Sequence, residues 1–323
     1  MRRVRYYSHG GPEVLTLEDA ALPEPGPGQV LIAVEAIGLN YLDVLMRRET
    51  AADSVYYRPG PGTVTGDVVG TVERTGPGTD SSLTGSRVAV LLEDACAEYV
   101  VADADWLVSA PAELDAGTAS TLPTMGAVAR GALHLGRLGK GETIMITAAA
   151  GGIGHLAVQL ARHLGAGTVI GAVGSAAKAG FVKELGADTV VDYSQPDWTD
   201  AVRDAAPDGV DVILDAVGGD TLLQSTGLLA PFGRAVVYGA ADAHWGSVPL
   251  LGLATLKTLS GFSLLAWRAA APDRARADIA ELAGLLRSGE LRVAATTLPL
   301  TAIAEAQTRY EDRAVLGRLV ATP

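Results

Sequence analysis

The chain has 323 residues, 48% hydrophobic and 19% charged. That length suits two domains better than one, and the composition supports a large core rather than disorder. With 25 basic against 37 acidic side chains the formal net charge is −12, which disfavours nucleic acid and anionic membranes as partners. One cysteine, Cys96, excludes an intramolecular disulfide and a cysteine-based structural zinc site.

The N-terminus Met1–Arg5 is basic but polar residues follow it, so no signal core is expected, and the default is a cytoplasmic protein. The first 120 or so residues read as short strands with turn punctuation: Gln29–Ile37, Asp67–Arg74, Ser86–Leu92 and Ala97–Val101. Such spacing predicts a small, mostly β unit. From about Asp115 strands and helices alternate. Strands are expected at Glu142–Thr147, Thr168–Ala172, Thr189–Val191, Val210–Asp215 and Arg234–Tyr238. Helices are expected at Gly152–Leu164, Ala176–Leu185, Asp197–Ala206 and Thr221–Leu229. This alternation is the signature of an α/β fold with a parallel, doubly wound sheet. The apolar stretch Val248–Trp267 is interrupted by Lys257 and reads as strand and interface, not a membrane span. A helix follows Pro272 and ends at Ser288-Gly289. The tail then supplies a strand, a helix (Thr301–Tyr310) and a last strand (Leu316–Val320). These have no sheet of their own, so the simplest packing returns them to the N-terminal unit.

The strongest chemical signal is Ala148-Ala149-Ala150-Gly151-Gly152-Ile153-Gly154, between an apolar strand and an amphipathic helix. Small residues let the backbone approach a pyrophosphate. Free N–H groups and the helix dipole then favour its negative charge. Ala150, Gly151, Gly152, Ile153 and Gly154 are the expected cofactor loop; the bland alternative is a turn needed only for packing. Strand, turn and helix in this order are the context that a dinucleotide fingerprint requires. NAD sites carry an acid about twenty residues past the glycines for the ribose 2′-hydroxyl. Here that region reads Val173-Gly174-Ser175-Ala176-Ala177-Lys178, with no carboxylate. Ser175, Lys178 and, after the next strand, Tyr193 instead offer donors to a 2′-phosphate, so the expected cofactor is NADPH. A solvated helix lysine is the ordinary alternative for Lys178.

With those residues in view, the chain resembles a zinc-independent quinone oxidoreductase of the medium-chain dehydrogenase/reductase superfamily. The likeness runs nearly end to end: Gly38-Leu39-Asn40-Tyr41-Leu42-Asp43, Gly66–Val72, Ala148–Gly154, Glu184–Asp188, Asp215–Gly219, Leu228–Arg234, Tyr238-Gly239 and Gly317–Val320. The resemblance implies a GroES-like β-rich domain of residues 1–121 and 267–323. It implies a Rossmann domain of residues 122–266, with the active site in the cleft between them. It also implies a homodimer joined by the strand near Thr258–Ser263. By the same resemblance Asn40 and Asp43, with Tyr41 beside them, line the cleft near the nicotinamide. Val217, Gly218, Tyr238 and Gly239 run along the cofactor, with Gly174 at the adenosine side and Phe262 and Ser263 at the nicotinamide end. The chain departs from the family pattern at Val64-Thr65, Leu45, Val128 and the segment Arg47–Arg58.

Zinc dehydrogenases of that superfamily need Cys and His ligands. Here His9, His134, His155, His163 and His244 form no ligand motif with Cys96, so no metal is expected. His155 and His163 read as helix-surface or packing residues. Without a Lewis acid the fitting acceptors are small electron-poor molecules, quinones or α,β-unsaturated carbonyls. Asn40 and Tyr41 are the candidate donors to the acceptor oxygen, and Asp43 orients them. A turn-capping Asn and a packed core Tyr are the plain alternatives. Tyr56 and Tyr57 are further candidates. Two other functions stay open: an enoyl reductase acting on a biosynthetic thioester, and an NADPH-binding protein with a non-redox role.

Overall fold

The computed structural model describes residues 1–49 and 51–323; Thr50, inside the atypical 47–58 segment, lies outside the described residues. The chain divides into two compact units, one of residues 1–124 with 283–323 and one of residues 125–282. In chain order the first unit supplies β1 (Arg2–Arg5), β2 (Thr16–Asp19), β3 (Gln29–Gly38), α1 (Leu42–Arg48), β4 (Gly66–Thr75), β5 (Arg87–Leu92), β6 (Tyr99–Asp103), β7 (Val108–Ser109) and α2 (Ala116–Ala119). There follow α3 (Ala127–Leu135), β8 (Thr143–Ile146), α4 (Gly154–His163), β9 (Thr168–Val173), α5 (Ala179–Glu184), β10 (Thr189–Asp192), α6 (Trp198–Ala205), β11 (Val210–Asp215), α7 (Gly219–Gly227), β12 (Leu229–Val237), β13 (Thr258–Gly261), α8 (Leu264–Ala270) and α9 (Pro272–Ser288). The chain closes with β14 (Ala295–Pro299), α10 (Ile303–Glu311) and β15 (Arg318–Thr322).

In the first unit, β14-β15-β3-β4-β5-β7 form one sheet, and β6 also pairs with β3. The tail therefore does join the N-terminal strands: β15 runs antiparallel to β3, with Val320 opposite Gly38. Val30, Ile32, Ile37, Val68, Val72, Val88 and Val100 point into a common core. Helix α10 covers it with Ile303, Ala306 and Tyr310, a helical spacing that makes one apolar face. A buried ion pair underlies the sheet. Arg318 and Asp67 are both fully buried and bonded to each other, and the Thr124 hydroxyl donates to Asp67 at 2.5 Å. Arg318 also donates to the Ser120 carbonyl, and Gly38 leaves the room its guanidinium occupies.

The second unit is a six-stranded parallel sheet in the order β10-β9-β8-β11-β12-β13. This is the doubly wound order, whose direction reverses between β8 and β11. Strands covered on both faces read as apolar runs, as β8 (TIMI) and β9 (TVIGAV) do.

Several local expectations shift. Strand β12 opens at Leu229, five residues before the expected Arg234, because a bulge keeps Pro231-Phe232-Gly233 in the strand while Leu229 pairs with Val210. The preceding helix accordingly runs Gly219–Gly227, not Thr221–Leu229. The fourth strand is Tyr99–Asp103, because Ala97 is spent in a bridge to Arg3. The stretch 248–267 is only partly strand: a 3-10 turn (Leu250–Leu253), β13 and the start of α8 share it. Helix α1 left no signal, since seven residues are too few for a 3.6-residue period to stand out. Among the described residues no helix is long and apolar enough to cross a membrane.

Candidate active site and cofactor loop

The cofactor loop leaves β8 through Ala148, which adopts a left-handed φ of 47°. The Gly151 amide closes the turn on the Ala148 carbonyl at 2.9 Å, and the Ala149 amide ties it to Ala172 of β9 at 3.0 Å. Helix α4 begins at Gly154. A Cβ there would run into the Ala148 carbonyl and stand 2.7 Å from Ala149 Cα, so only glycine lets the helix start this close to the strand. Ala150 is buried beneath the turn. The amides of Gly152, Ile153 and Gly154 have no acceptor among the described residues. Three successive unclaimed donors at the head of a helix are what a diphosphate requires. His155 is fully buried behind them, its Nδ1 2.9 Å from the Gly151 carbonyl, whereas His163 is exposed.

The other side of the strand-order reversal is the end of β11. Thr147 Oγ1 donates to the buried Asp215 at 3.0 Å and accepts from the Ala216 amide at 2.9 Å. Asp215 also accepts from the Gly218 amide at 2.8 Å. These bonds shape the strap Asp215–Gly218, with Val217 buried and Gly218 at φ 77°. Desolvation raises the Asp215 pKa to about 6 despite the bonds from Gly218 and Thr147. Tyr238 and Gly239 follow β12 beside this strap: the Tyr238 amide donates to Asp215, but its buried hydroxyl has no partner. Burial, followed by the nearby Asp215 charge, pushes that phenol well above its ordinary range. The sequence reasoning missed Thr147 and Asp215. A Thr ending β8 and an Asp ending β11 carry a usable signal once these strands are known to be neighbours.

At the end of β9, Gly174 is exposed, and a Cβ on it would stand 3.0 Å from Tyr193 Oη. Tyr193 and Gly174 thus come together. Ser175 accepts from the Ala177 amide at 3.4 Å, opening the 3-10 turn that carries the half-buried Lys178. A neighbouring acid escaped the sequence reading. Asp192 is desolvated, yet bonds from Ser194 and the Ala176 backbone hold its pKa below the ordinary value. Farther along, Phe262 lies against Gly131 and 5.9 Å from the Trp267 ring, and Ser263 caps α8 through the Ala266 amide. The Phe262 amide is fixed by Val237 at 2.8 Å.

In the first unit, Asn40 and Tyr41 form the turn into α1, their carbonyls accepting from Asp43 at 3.3 Å and Val44 at 3.0 Å. The backbone makes this cap, so the Asn40 side-chain amide has no partner among the described residues. Tyr41 is half-buried, edge-on to Tyr310 at 6.3 Å and under the Arg313 guanidinium at 5.0 Å. The Asp43 carboxyl is buried and bonded not to Asn40 or Tyr41 but to Thr65, accepting from its amide at 2.7 Å and its hydroxyl at 3.0 Å. Desolvation raises the Asp43 carboxyl to about 7, against those two bonds. Thr65, one of the departures from the family pattern, is therefore the partner of Asp43. Val128 is buried in α3, and Tyr56 is buried with its phenol pushed up by desolvation. The atypical segment is anchored by Arg47, fully buried, which binds Gln307 at 2.5 Å, Glu311 and the Gly10 carbonyl.

Comparison with known proteins places this geometry. Residues 26–112 match the family model for the alcohol dehydrogenase GroES-like domain, and residues 152–280 that for zinc-binding dehydrogenases. The chain is 36% identical over 242 residues to a 2-haloacrylate reductase of Burkholderia sp., covering 73% of this chain and 72% of that one. It is 32% identical over 333 residues to a quinone oxidoreductase of Pseudomonas aeruginosa, covering 100% and 99%. A mycobacterial protein whose structure was solved as its NADPH complex superposes with a TM-score of 0.91 at 31% identity, each chain covered in full. A parallel sheet in doubly wound order, its Gly-rich turn and a GroES-like unit thus stand in one chain, and the chain belongs to the quinone oxidoreductase group of the medium-chain dehydrogenase/reductases.

Proposed function

We propose that the chain is an NADPH-dependent oxidoreductase that reduces a quinone or an α,β-unsaturated carbonyl without a metal ion. The observation that carries the reading is the set of free amides at Gly152, Ile153 and Gly154, together with a β9 exit, Val173–Lys178, whose own residues include no carboxylate. The amides take the diphosphate; Ser175, Lys178 and Tyr193 surround the 2′-phosphate; Val217, Gly218, Tyr238 and Gly239 follow the cofactor toward Phe262 and Ser263. When bound, NADPH supplies a hydride from its nicotinamide ring. The Asn40 side-chain amide steadies the negative charge that develops on the acceptor oxygen, with the Tyr41 hydroxyl as the second donor. Asp43 acts as a positioning residue, through Thr65. Among the described residues no group of three His, Cys, Asp or Glu side chains is gathered to hold a metal.

The relatives named for 2-haloacrylate and for quinone reduction favour small, electron-poor acceptors. We also propose a homodimer. β13 is an edge strand, and Leu250, Leu251 and Leu265 near it are exposed. A buried, lone Cys96 suits the cytoplasm.

The test pairs tryptophan-fluorescence titrations of NADPH and NADH with an acceptor panel of benzoquinone, a simple enone and a crotonyl thioester. Saturable NADPH binding with acceptor-dependent NADPH loss is expected. Binding without consumption for any acceptor would instead establish the non-redox role, and turnover of the thioester alone would establish the enoyl reductase.

A further inference from the structure

Beside Thr65, the partner of Asp43, the first unit carries a partly open recess of about 110 Å³. Its walls include Met46 of α1 and Pro59 and Pro61 of the following segment, all apolar. One cation and one acid face it, Arg58 and Glu93. Arg58 is held from one end: its Nη1 donates to the carbonyls of Val55 at 3.1 Å and Tyr57 at 2.9 Å. Its Nε and Nη2 have no partner among the described residues, and no ion pair joins it to Glu93. The backbone thus spends one nitrogen of the guanidinium on aim and leaves the other edge of the fork free. Thr63, also on the wall, has a hydroxyl without a partner among the described residues. Thr65 lines the cavity too, and its hydroxyl is the one bonded to Asp43. The cavity therefore adjoins the turn that carries Asn40.

A guanidinium and a hydroxyl lining a short recess of mixed polarity suit a planar carboxylate on a small carbon stem, because two parallel N–H···O bonds match carboxylate geometry. An uncharged carbonyl makes no comparable use of the fork, and the Arg58 charge offsets the acidic field of a chain with net charge −12. We propose that Arg58 and Thr63 form an anion subsite that selects acceptors bearing a carboxylate, that is, α,β-unsaturated acids, over neutral quinones and enones. Glu93 weakens that preference by placing a like charge on the same wall. This specificity rests on the redox reading above.

The experiment compares kcat/KM for 2-chloroacrylate and for its methyl ester, with NADPH, in the unaltered enzyme and in Arg58→Gln, Arg58→Lys and Glu93→Gln. Arg58→Gln should lower the acid-to-ester ratio by about tenfold or more, mainly through KM, as for a lost hydrogen bond to a charged group. Arg58→Lys should recover only part of the ratio, since an ammonium cannot present the fork. Glu93→Gln, which touches none of the bonds that hold the segment, should raise the ratio. As a readout free of turnover, calorimetry with 2-chloropropionate should give weaker binding to Arg58→Gln and tighter binding to Glu93→Gln. An unchanged ratio in both variants, or a fall in Glu93→Gln, overturns the subsite while leaving the redox reading intact. Failure of the unaltered enzyme to reduce any acceptor removes the redox reading itself; in that case the calorimetry alone decides whether Arg58 binds carboxylates.

Discussion

The Gly-rich turn of the second unit and the Asn40–Thr65 corner of the first present their polar groups by opposite means. In the turn, the groups left free are main-chain amides, and the only demand on side chains is that they be small. Eight consecutive residues, Thr147–Gly154, nearly define it. At the corner the polar groups are side chains, and each is held by a residue elsewhere in the sequence: Asp43 by Thr65, Arg47 by Gln307 and Glu311, Tyr41 by Tyr310. A backbone site tolerates change around it but none at its glycines. A side-chain site can be retuned one contact at a time, and the departures from the family pattern cluster there, at Thr65, Leu45 and the 47–58 segment.

That contrast can be broken or sharpened by mutation. The largest effect is expected in the first unit, where Arg318→Met leaves Asp67 charged, buried and without its partner. A loss of about 3–5 kcal/mol is expected in denaturant unfolding, and adding Asp67→Asn should restore much of it. A loss below about 1 kcal/mol would mean that the long-range pair does not hold this sheet.

Gly154→Val should next abolish measurable NADPH binding, because the new side chain collides with Ala148 and Ala149. Retained affinity would show that the close backbone approach is dispensable.

The third test is pH. Burial raises Asp43 from 3.8 to about 7, so the folded chain holds this proton more tightly than the unfolded chain. Its contribution is complete below the unfolded value and is lost as pH rises through about 7. Relative to Asp43→Asn, the unaltered protein should lose on the order of a few kcal/mol of stability between about pH 4 and pH 7. Parallel stability curves for the two proteins would place the Asp43 carboxyl in contact with water. Asp215, raised to about 6, contributes a slope of the same sign in both proteins and cancels in the difference.

The smallest effect is at the cofactor's edge. Lys178→Ala should weaken NADPH by about 1–3 kcal/mol in fluorescence titration and hardly alter NADH. Equal losses would remove Lys178 from the 2′-phosphate site.

Legibility in the sequence followed the same divide. The alternating strands and helices of residues 143–237 were readable because each strand is a short apolar run and each helix carries its own period. The cofactor loop was readable because its chemistry is local. Strand β12 was misjudged at its start because Leu228-Leu229 suits a helix end as well as a strand, and only pairing with Val210 decides between them. The roles of Thr65 and Arg318 were invisible. Nothing near Thr65 in the sequence announces a carboxylate 22 positions earlier, nor anything near Arg318 one 251 positions earlier.

By itself, then, the sequence determined the α/β class, the parallel run of strands, the Gly-rich turn and the lack of an acid among Val173–Lys178 after β9. Each depends on residues within a few positions of one another, where backbone geometry and hydrophobic period act directly. Only the tertiary structure decided that Asp43 belongs to Thr65, that Asp67 and Arg318 share a buried bond, and that Arg58 lines a recess with one edge of its guanidinium unclaimed among the described residues. Those facts depend on which distant strands and helices become neighbours, and burial then sets both the partner and the charge of every group enclosed there.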